Sequence, residues 1–529
     1  MTPSMNIADE RLFPVRWVPH AAHARDGVAP AKVGLRELLI RSHEIEGLAV
    51  ADAPMHSALL RVLYALTARV CGLDEAKDGP DDWLERRDDV LQRGMFDQKA
   101  VDEYIARYYH RLFLFDAREG GRPWMQDARL AAQCDPDRTA GVNKLIMTRP
   151  SGNNHSWFQH RSDPQPDPPT ASEAVLSLLG WHYYGPSGRC SSREVNGVKS
   201  ASAGAGPLRT ALSYHPEGDT LFETLLAGLV PPKRKVNASK DLCPWEWEEL
   251  PDPAGPPPAA MGPCSKLTAG SVHALLLVPS EEDPSRVGDA YITWAYRQRR
   301  SARPDDDYVI WQISQQGNLY PRLASSQRAL WRDLDALLLI DPPGASQPRR
   351  PAVFEWAGEV SDALRVRALG FEQDGQAKDT QFVDALTPPV LAFVEQRSAR
   401  TSPAVGRLRA LGERFGIRLD RALRRAWRAY VNDQKDSAEA WAVEGAARYW
   451  RAAEAEFWQR FRLLDRTGAA LDGGLDTEAA RRAFLRLALA AYDNITSSAA
   501  RTQRGAKAVE EARIELFGGT RRKSGQTAA

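Results

Sequence analysis

The stretch "PAVGRLRALGERFGIRLDRALRRAWRAYVND", residues 403–433, decides the architecture of the C-terminal part of the chain. Its apolar residues recur at intervals of three and four, which is the period of an amphipathic α-helix. Alanine and arginine supply most of the remaining positions. The stretch therefore predicts a long helix with one apolar face and one arginine-rich face.

Three further segments have the same character. They are residues 389–400, residues 437–464 and a run that begins at Asp476. In the second of them, four apolar residues recur at helical spacing: Trp450, Ala453, Phe457 and Phe461. Asp476 is placed to cap the last helix, with Glu478 in its first turn. We therefore expect residues 386–529 to form a bundle of about four helices.

The first 385 residues have a different pattern. "HALLLVP" (273–279) and "AYITWAY" (290–296) are typical of strands, being rich in aliphatic and aromatic residues. Residues 55–73 and 101–115 have the periodicity of amphipathic helices. Strands and helices do not alternate regularly, which favours a mixed α+β lobe over a doubly wound sheet. The predicted fold class is α+β, with a mixed N-terminal lobe (1–385) followed by the four-helix bundle (386–529).

Charge is unevenly distributed along the 529 residues. The whole chain has 70 Lys and Arg against 69 Asp and Glu, a formal net charge of +1. Residues 391–529 hold 26 of those bases and 17 of the acids, about +9, so the preceding part is about −8. Arginines suit phosphate contacts. Solvated Arg- and Ala-rich helices of a GC-rich genome would have the same composition, so composition leaves both interpretations open.

Several classes of protein are disfavoured. No apolar run reaches the ~18–20 residues needed to cross a membrane, and the N-terminus lacks the apolar core of a signal peptide, so we expect a cytoplasmic protein. Five cysteines lie far apart in the sequence, with no C-x-x-C pair: Cys71, Cys134, Cys190, Cys243 and Cys264. This spacing argues against a disulfide framework and a compact zinc site, and we expect no cofactor or metal.

No convincing catalytic constellation is present. "HEIEG" at 43–47 is not H-E-x-x-H, and the chain has no Walker loop, no dinucleotide fingerprint and no nucleophile elbow. His155 and His160 share a short polar loop, which is insufficient for a metal site. We therefore expect a protein that is not an enzyme. An enzyme with an α+β lobe and a helical lobe stays open as an alternative.

Polar, glycine-containing or basic loops are the remaining signal. They span residues 149–161, 183–193, 204–209, 231–240 and 296–303. Glycines let a backbone approach a ligand closely. Arginines near aromatic residues suit phosphates and bases. Each loop alone is typical of an ordinary turn, and their co-occurrence favours nucleic-acid binding.

One further stretch, "GFEQDGQAKD" (370–379), has neither strand nor helix periodicity. It lies between two runs typical of a core, which predicts an exposed loop tip carrying Gln376.

Taken in order, several of these pieces resemble the CasA family, the large subunits of the type I-E CRISPR surveillance complex (Cascade). The likeness extends along nearly the whole chain. The matching pieces are "FPVRWVPH" (13–20), "LFLFDAREGGRPWMQ" (112–126), "NKLIMTRPSGNNHSWF" (143–158), "GFEQDGQAKD" and the helical C-terminus. The resemblance implies a subunit that is not catalytic and that reads the protospacer-adjacent motif (PAM) of duplex DNA from the minor groove. The guide RNA then reads the target by base pairing.

The resemblance also implies roles for particular residues. Gln376, with Gly375 forming the turn, matches the wedge that enters below the PAM, and its flat amide suits contact with a parting base pair. The glycine loop corresponds to Gly185, Pro186, Ser187 and Gly188. The basic finger corresponds to Arg297, Arg299 and Arg300. The L1 loop corresponds to Asn153, Asn154, Phe158, Gln159 and His160.

The chain departs from the family pattern in places. Gly-Pro-Ser-Gly replaces a denser glycine run, and Gln159 and His160 are not the commonest L1 residues. Paired cysteines that would suit zinc in some members are lacking.

The implied partners are double-stranded target DNA, the other Cascade subunits, the 5′ end of the guide RNA and the CRISPR nuclease-helicase, with no membrane. On the helical part, an arginine face is expected to guide DNA or abut neighbouring subunits: Arg421, Arg424, Arg425 and Arg428. A docking scaffold without DNA contact is a further alternative.

Overall fold

The computed structural model describes most of the chain. The described residues are 5–21, 23–24, 27–75, 79–116, 121–149, 151, 166–232, 236–298, 306–326, 328–338, 350–374, 378–390, 401–464 and 471–518. The chain divides into two compact units. The first is Met1–Ser326 with Pro342–Ala392, and the second is Gln327–Asp341 with Phe393–Ala529.

Helices and strands mix in the first unit. Its described helices are α1 (Leu35–Ile40), α2 (Ala53–Cys71), α3 (Pro80–Arg93), α4 (Gln98–Tyr108), α5 (Leu130–Gln133), α6 (Val142–Leu145), α7 (Ala171–Tyr184), α8 (Leu221–Ala227) and α9 (Pro263–Thr268). Its described strands are β1 (Phe13–Trp17), β2 (His23–Ala24), β3 (Gly27–Val28), β4 (Lys32–Val33), β5 (Ile45–Leu48), β6 (Gly188–Val195), β7 (Val198–Ala203), β8 (Ser213–Glu217), β9 (His273–Pro279), β10 (Val287–Trp294), β11 (Trp311–Ile313), β12 (Leu319–Pro321), β13 (Arg365–Asp374) and β14 (Lys378–Leu386).

The strands form small antiparallel sheets. Their orders are β4-β1-β5, β14-β13-β8, β10-β9, β11-β12, β6-β7 and β2-β3. Short 3-10 helices are Tyr109–Arg111, Pro136–Arg138, Leu330–Asp333, Ala352–Glu355, Ala357–Glu359, Leu471–Gly474, Ala499–Arg501 and Ile514–Phe517. The mixed α+β first part is therefore confirmed.

Helix α2 forms the core of the first unit. Every residue from Ala53 to Ala68 is buried, as is typical of a helix that other elements cover on all sides. Pro54 lies in its first turn, and Gly72 ends it in the left-handed conformation. Helices α7, α8 and α9 and strand β13 pack against it. Helix α2 therefore supports both α7 and β13.

The predicted strands and helices of the first unit are found, and three of the four have shifted ends. Strand β9 has the expected bounds, and β10 covers most of "AYITWAY". Helix α4 ends at Tyr108, before the predicted end, because the chain tightens into a 3-10 turn and then buries Leu112 and Leu114.

The expectation for "GFEQDGQAKD" was wrong over most of its length. Residues 370–374 belong to β13, and residues 378–379 belong to β14. Phe371 pairs with Phe382, and the register shifts between Glu372 and Gln373. This irregularity of the ladder interrupts the alternation that would have marked a strand in the sequence.

The described part of the second unit is built from helices. They are α10 (Leu334–Leu338), α11 (Thr401–Val431), α12 (Glu439–Phe461), α13 (Thr477–Thr496) and α14 (Gln503–Arg513). Helix α11 contains the predicted stretch from residue 403 to Val431, and the next three helices all pack against it. Asp476 caps α13 by accepting a hydrogen bond from the Ala479 N–H. The helical C-terminal part is confirmed.

Two parts of the predicted bundle differ. The sequence did not predict α14 as a separate helix, and residues 391–400 of the predicted first helix lie outside the described residues. The segment at 327–341 adds Trp331, whose ring stacks on Phe457 with centroids 4.7 Å apart. The domain boundary at 385/386 stays a prediction.

Candidate nucleic-acid interface

A β-hairpin presents the predicted wedge. Strands β13 and β14 pair from Arg367–Leu386 to Asp374–Lys378. Gly375 and Gln376 are in the three-residue connection between them, which lies outside the described residues. Strand β13 is held on its other edge by β8. The described strands therefore lead the chain to residue 374 and receive it at residue 378.

The base of this hairpin is fixed by ion pairs and packing. Arg367 pairs with Glu217 on β8 and with Asp384 on β14, the latter at 2.7 Å. Phe371 is 1% exposed. The register of the hairpin is therefore fixed by its buried face and its ion pairs.

The predicted glycine loop lies between α7 and β6. Gly185 ends α7 and is buried, and a Cβ atom there would lie 2.6 Å from the His273 ring. Gly188 has φ +137°, a conformation that L side chains rarely adopt. Ser187 and Gly188 are exposed. The loop therefore has a fixed base and an exposed backbone tip.

His273 supports this loop from below. Its Nε2 lies 3.1 Å from the Pro186 carbonyl oxygen, and because a carbonyl only accepts, Nε2 carries the proton. Its ring meets Trp181 edge-on, with centroids 5.3 Å apart. Burial lowers the pKa of His273 to about 4, so the imidazole is neutral near pH 7.

The turn at 204–209 joins the glycine loop to the hairpin. The Gly206 N–H donates to the Gly185 carbonyl at 2.8 Å. Arg209, which is 5% exposed, donates from Nη1 to the Tyr184 carbonyl at 2.9 Å. Its Nε donates to Gln373 Oε1 at 2.8 Å.

Arg209 also lies 4.4 Å from the centroid of the Phe371 ring. Sequence reasoning missed this bridge, because its partners are 25 and 164 residues away along the chain. The structure thus brings the end of α7, which leads into the glycine loop, and the part of β13 near the predicted wedge onto one buried side chain.

The predicted basic finger is only partly described. Arg297 lies 4.8 Å from the centroid of the Trp294 ring and donates to the Val198 carbonyl at 2.7 Å. Its guanidinium is therefore already held by the end of β10 and the start of β7. Arg299 and Arg300 lie outside the described residues.

A groove of about 1520 Å³ lies beside these loops. It is lined by Gly204 and Ala205 of the turn, by Ser200 and Ser202 of β7, and by Arg297. The glycine-bearing turn and the start of the basic segment therefore share one concave surface.

The predicted L1 residues cannot be placed. Asn153, Asn154, Phe158, Gln159 and His160 lie outside the described residues. The described residues on either side are linked, since Arg149 Nη1 donates to the Asp167 carbonyl at 2.5 Å.

Three of the four arginines predicted to form a basic face already have partners within the second unit. Arg424 pairs with Asp420 at 2.9 Å, and Arg425 pairs with Glu515 at 2.7 Å. Arg428 donates to the Asp436 carbonyl at 2.8 Å.

Arg421 is exposed and forms no hydrogen bond or ion pair with another described residue. Arg414, two turns before it on α11, is also exposed and likewise without such a partner in the described ranges. Of these two exposed arginines without partners in the described ranges, only Arg421 belongs to the predicted face.

Metal-binding side chains do not gather in the described part of the chain. No group of three or more His, Cys, Asp or Glu among the described residues is arranged to hold a metal ion. None of the helices in the described ranges is both long enough and apolar enough to cross a membrane.

Comparisons with known proteins give a consistent family. Residues 12–492 match the family model described as CRISPR-associated protein Cse1. A curated relative, CRISPR-associated protein CasA/Cse1 of Thermus thermophilus, is 26% identical over 346 residues. That alignment covers 63% of this chain and spans only 60% of the relative's length.

Solved structures are similar over nearly the whole chain. A chain of a CRISPR RNA-guided surveillance complex is 38% identical, with a TM-score of 0.84, and the match covers 97% of this chain and 100% of that one. Thermus thermophilus CasA (Cse1) has a TM-score of 0.73 at 20% identity, with 97% and 98% covered, which shows the shared fold. Since the family model matches most of its length, the chain belongs to the CRISPR-associated protein Cse1 family.

Proposed function

We propose that this protein is the large subunit of an RNA-guided surveillance complex and that it recognises the PAM on duplex DNA. It reads the PAM from the minor groove and parts the first base pairs, so that the guide RNA can pair with the target strand. It catalyses no reaction itself, and it helps to recruit the nuclease-helicase. Its partners are target DNA, the other subunits of the complex and the 5′ end of the guide RNA.

The observation that carries this proposal is the bridge made by Arg209. A buried guanidinium joins the backbone at the end of α7 to Gln373, two residues before Gly375. The end of helix α7, which leads into the glycine loop, and strand β13 of the hairpin are thereby held in one arrangement, as a site that must touch one ligand requires. Family membership and the likeness to a chain of a surveillance complex support the same assignment.

Each element has a distinct task in this proposal. The exposed backbone at Ser187 and Gly188 approaches the groove, where a side chain would obstruct it. Arg299, with Arg297 or Arg300, supplies the cation that a narrow minor groove attracts. Gln376 enters between base pairs, and its amide replaces hydrogen bonds that are lost when the strands part. Opening a base step costs a few kcal/mol, which groove and phosphate contacts must offset.

The proposal is tested by target binding of the assembled complex. Complexes with and without this chain are compared on duplexes that carry a randomised PAM, over a range of salt concentrations. We expect PAM-dependent binding only when the chain is present. PAM selection that persists without the chain would assign recognition to another subunit and leave this one as a docking scaffold.

A further inference from the structure

The segment "PWMQ", residues 123–126, lines a second cavity in the first unit. The cavity has a volume of about 80 Å³. Its lining includes Arg111, Arg122, Arg129, Trp124, Trp247 and Tyr296. His273 lies between this cavity and the glycine loop, but neither the hairpin nor the described part of the basic finger lines it. The proposed DNA-recognition role therefore gives this cavity no task.

Several hydrogen-bond donors in the lining have no partner among the described residues. Trp124 is 1% exposed, and its buried indole Nε1 has no hydrogen-bond partner within the described part of the chain. The buried Nε of Arg122 is also without a partner there, while its Nη1 donates to the Trp247 carbonyl at 2.8 Å. Arg111 is half-buried and forms no hydrogen bond or ion pair with a described residue. Buried donors without partners are costly, which favours a ligand that accepts hydrogen bonds.

Acceptors in the same lining are largely occupied. The Met125 carbonyl accepts a hydrogen bond from His182 Nε2 at 2.7 Å. The Asp127 carboxylate is shared by Arg129 and Arg193, each at 2.8 Å. The cavity therefore offers a ligand several hydrogen-bond donors and few free acceptors, which favours a ligand that accepts hydrogen bonds.

The positive charge of three arginines in the lining also favours a ligand that is an anion. Burial lowers the pKa of Arg122 to about 10, and the neighbouring Arg111 and Arg129 contribute to that lowering. Asp127 is the acid in the lining, and two arginines already neutralise it. The Asp116 carboxylate, outside the lining, accepts a hydrogen bond from the Arg122 backbone N–H at 2.8 Å. An anion placed among these three arginines would stabilise their charges.

We propose that this cavity binds a phosphate group. Its volume of about 80 Å³ is several times the ~10–15 Å³ that a single water requires, which leaves room for a phosphate. Arginine forks match phosphate oxygens in geometry and charge. The half-buried rings of Trp247 and Tyr296 are surfaces on which an attached base can stack. The phosphate is either free in solution or carried on a nucleic-acid strand.

Calorimetric titration of the full-length chain tests the proposal. Three probes are used at low salt: orthophosphate, a 5′-phosphorylated trinucleotide and the same trinucleotide without its terminal phosphate. We expect one equivalent of orthophosphate to bind. Tighter binding of the phosphorylated trinucleotide identifies a strand end as the source, and equal binding of both trinucleotides identifies an internal phosphate. Binding of orthophosphate alone identifies a free anion.

Variants connect the binding to the cavity. We expect Arg111→Gln to weaken orthophosphate binding at least tenfold, since Arg111 has no partner among the described residues to lose. Trp124→Phe keeps an aromatic ring and removes the N–H, so we expect a weakening of about threefold or more. Arg451→Gln, which changes an exposed arginine of the second unit, should change nothing. If Trp124→Phe fails to fold by circular dichroism, Arg111→Gln alone decides. The proposal is wrong if no probe binds at millimolar concentration, or if the Arg111 and Arg451 variants behave alike.

Discussion

Arg209 is a single buried cation whose partners belong to helix α7 and strand β13. It contacts the Tyr184 carbonyl, the Gln373 amide and the face of Phe371. Lysine would keep the charge, but it lacks the planar fork that satisfies both acceptors together. The side chain is therefore a positioning residue for the proposed glycine loop and wedge.

We expect Arg209→Lys to destabilise the first unit by ~1.5–3 kcal/mol, the range for a buried hydrogen bond that involves a charge. R-loop formation should slow by about tenfold for each ~1.4 kcal/mol of lost support in the opening step. Stopped-flow measurement of R-loop formation, with melting curves, checks both. Arg138→Lys changes an exposed arginine and serves as the matched control. A variant that is destabilised but opens DNA at the normal rate would leave Arg209 as a structural residue only.

Buried histidines make stability depend on pH. Burial lowers the pKa of His182 and of His273 to about 4, and that of His56 to about 3. An unfolded histidine has a pKa of about 6.5, so the unfolded chain binds more protons below that pH. The stabilising contribution is complete above pH ~6.5 and is lost as the pH falls toward 4.

We therefore expect the melting temperature to fall between pH 7 and pH 5. Each of these histidines contributes a slope of up to ~1.4 kcal/mol per pH unit. His273→Gln, which keeps an N–H for the Pro186 carbonyl, should flatten the dependence, while His20→Gln, at an exposed position, should not. Equal slopes for the two variants would contradict the assignment.

At the scale of elements, helix α11 carries the arginines that the sequence predicted to form a basic face. Some of them, such as Arg425, form ion pairs within the second unit. Arg414 and Arg421 are exposed and have no such partner among the described residues. Charge reversal at Arg425 would place two negative charges beside each other at Glu515. Charge reversal at Arg414 and Arg421 should leave the packing of the helix intact, because both side chains are exposed.

We expect Arg414→Glu with Arg421→Glu to weaken target binding equally at all PAMs. The salt slope should fall by about 0.9 for each phosphate that is no longer neutralised. Arg425→Glu should mainly lower the melting temperature. Gel-shift titrations of the assembled complex at several salt concentrations measure the first effect, with Arg451→Glu as the control. An unchanged slope would show that Arg414 and Arg421 are only solvated.

Local periodicity predicted the long helices. Features that depend on contacts between residues far apart in the sequence could not be predicted. Strand β9 and helices α11, α12 and α13 follow from periods that neighbouring residues alone establish. Helix α2 was expected to be amphipathic, but the fold buries it on all sides from Ala53 to Ala68. The strand at 370–374 was missed because its register shift hides the alternation. Arg209 could not be predicted, since its role depends on residues that only the fold brings close. The cavity that "PWMQ" lines could not be predicted for the same reason, because its lining residues are far apart in the sequence.

At the scale of the whole molecule, a near-neutral chain is proposed to act on a polyanion. A formal net charge of +1 supplies little general attraction for DNA. Binding must therefore depend on local cations and on the other subunits. No nucleophile elbow, Walker loop or H-E-x-x-H motif occurs in the sequence.

We therefore expect the isolated chain to bind duplex DNA weakly and to cleave none. A pure preparation is incubated with labelled duplex and Mg²⁺ or Mn²⁺, and products are separated on a denaturing gel. Metal-dependent cleavage that co-purifies with the single chain would favour the enzyme alternative.

The hairpin at 365–386 is proposed to carry a wedge at Gln376. Gln376→Ala removes the amide and keeps Gly375, so the free energy of unfolding should change by no more than roughly 0.5 kcal/mol. Duplex engagement should survive, because the groove and phosphate contacts are assigned to other loops.

The decisive measurement is the rate of R-loop formation by the assembled complex, on intact duplex and on duplex pre-melted beside the PAM. We predict that Gln376→Ala slows the reaction on intact duplex, by about tenfold for each ~1.4 kcal/mol of lost support, and that pre-melting restores it. A wild-type rate on intact duplex, or no rescue by pre-melting, would contradict the wedge.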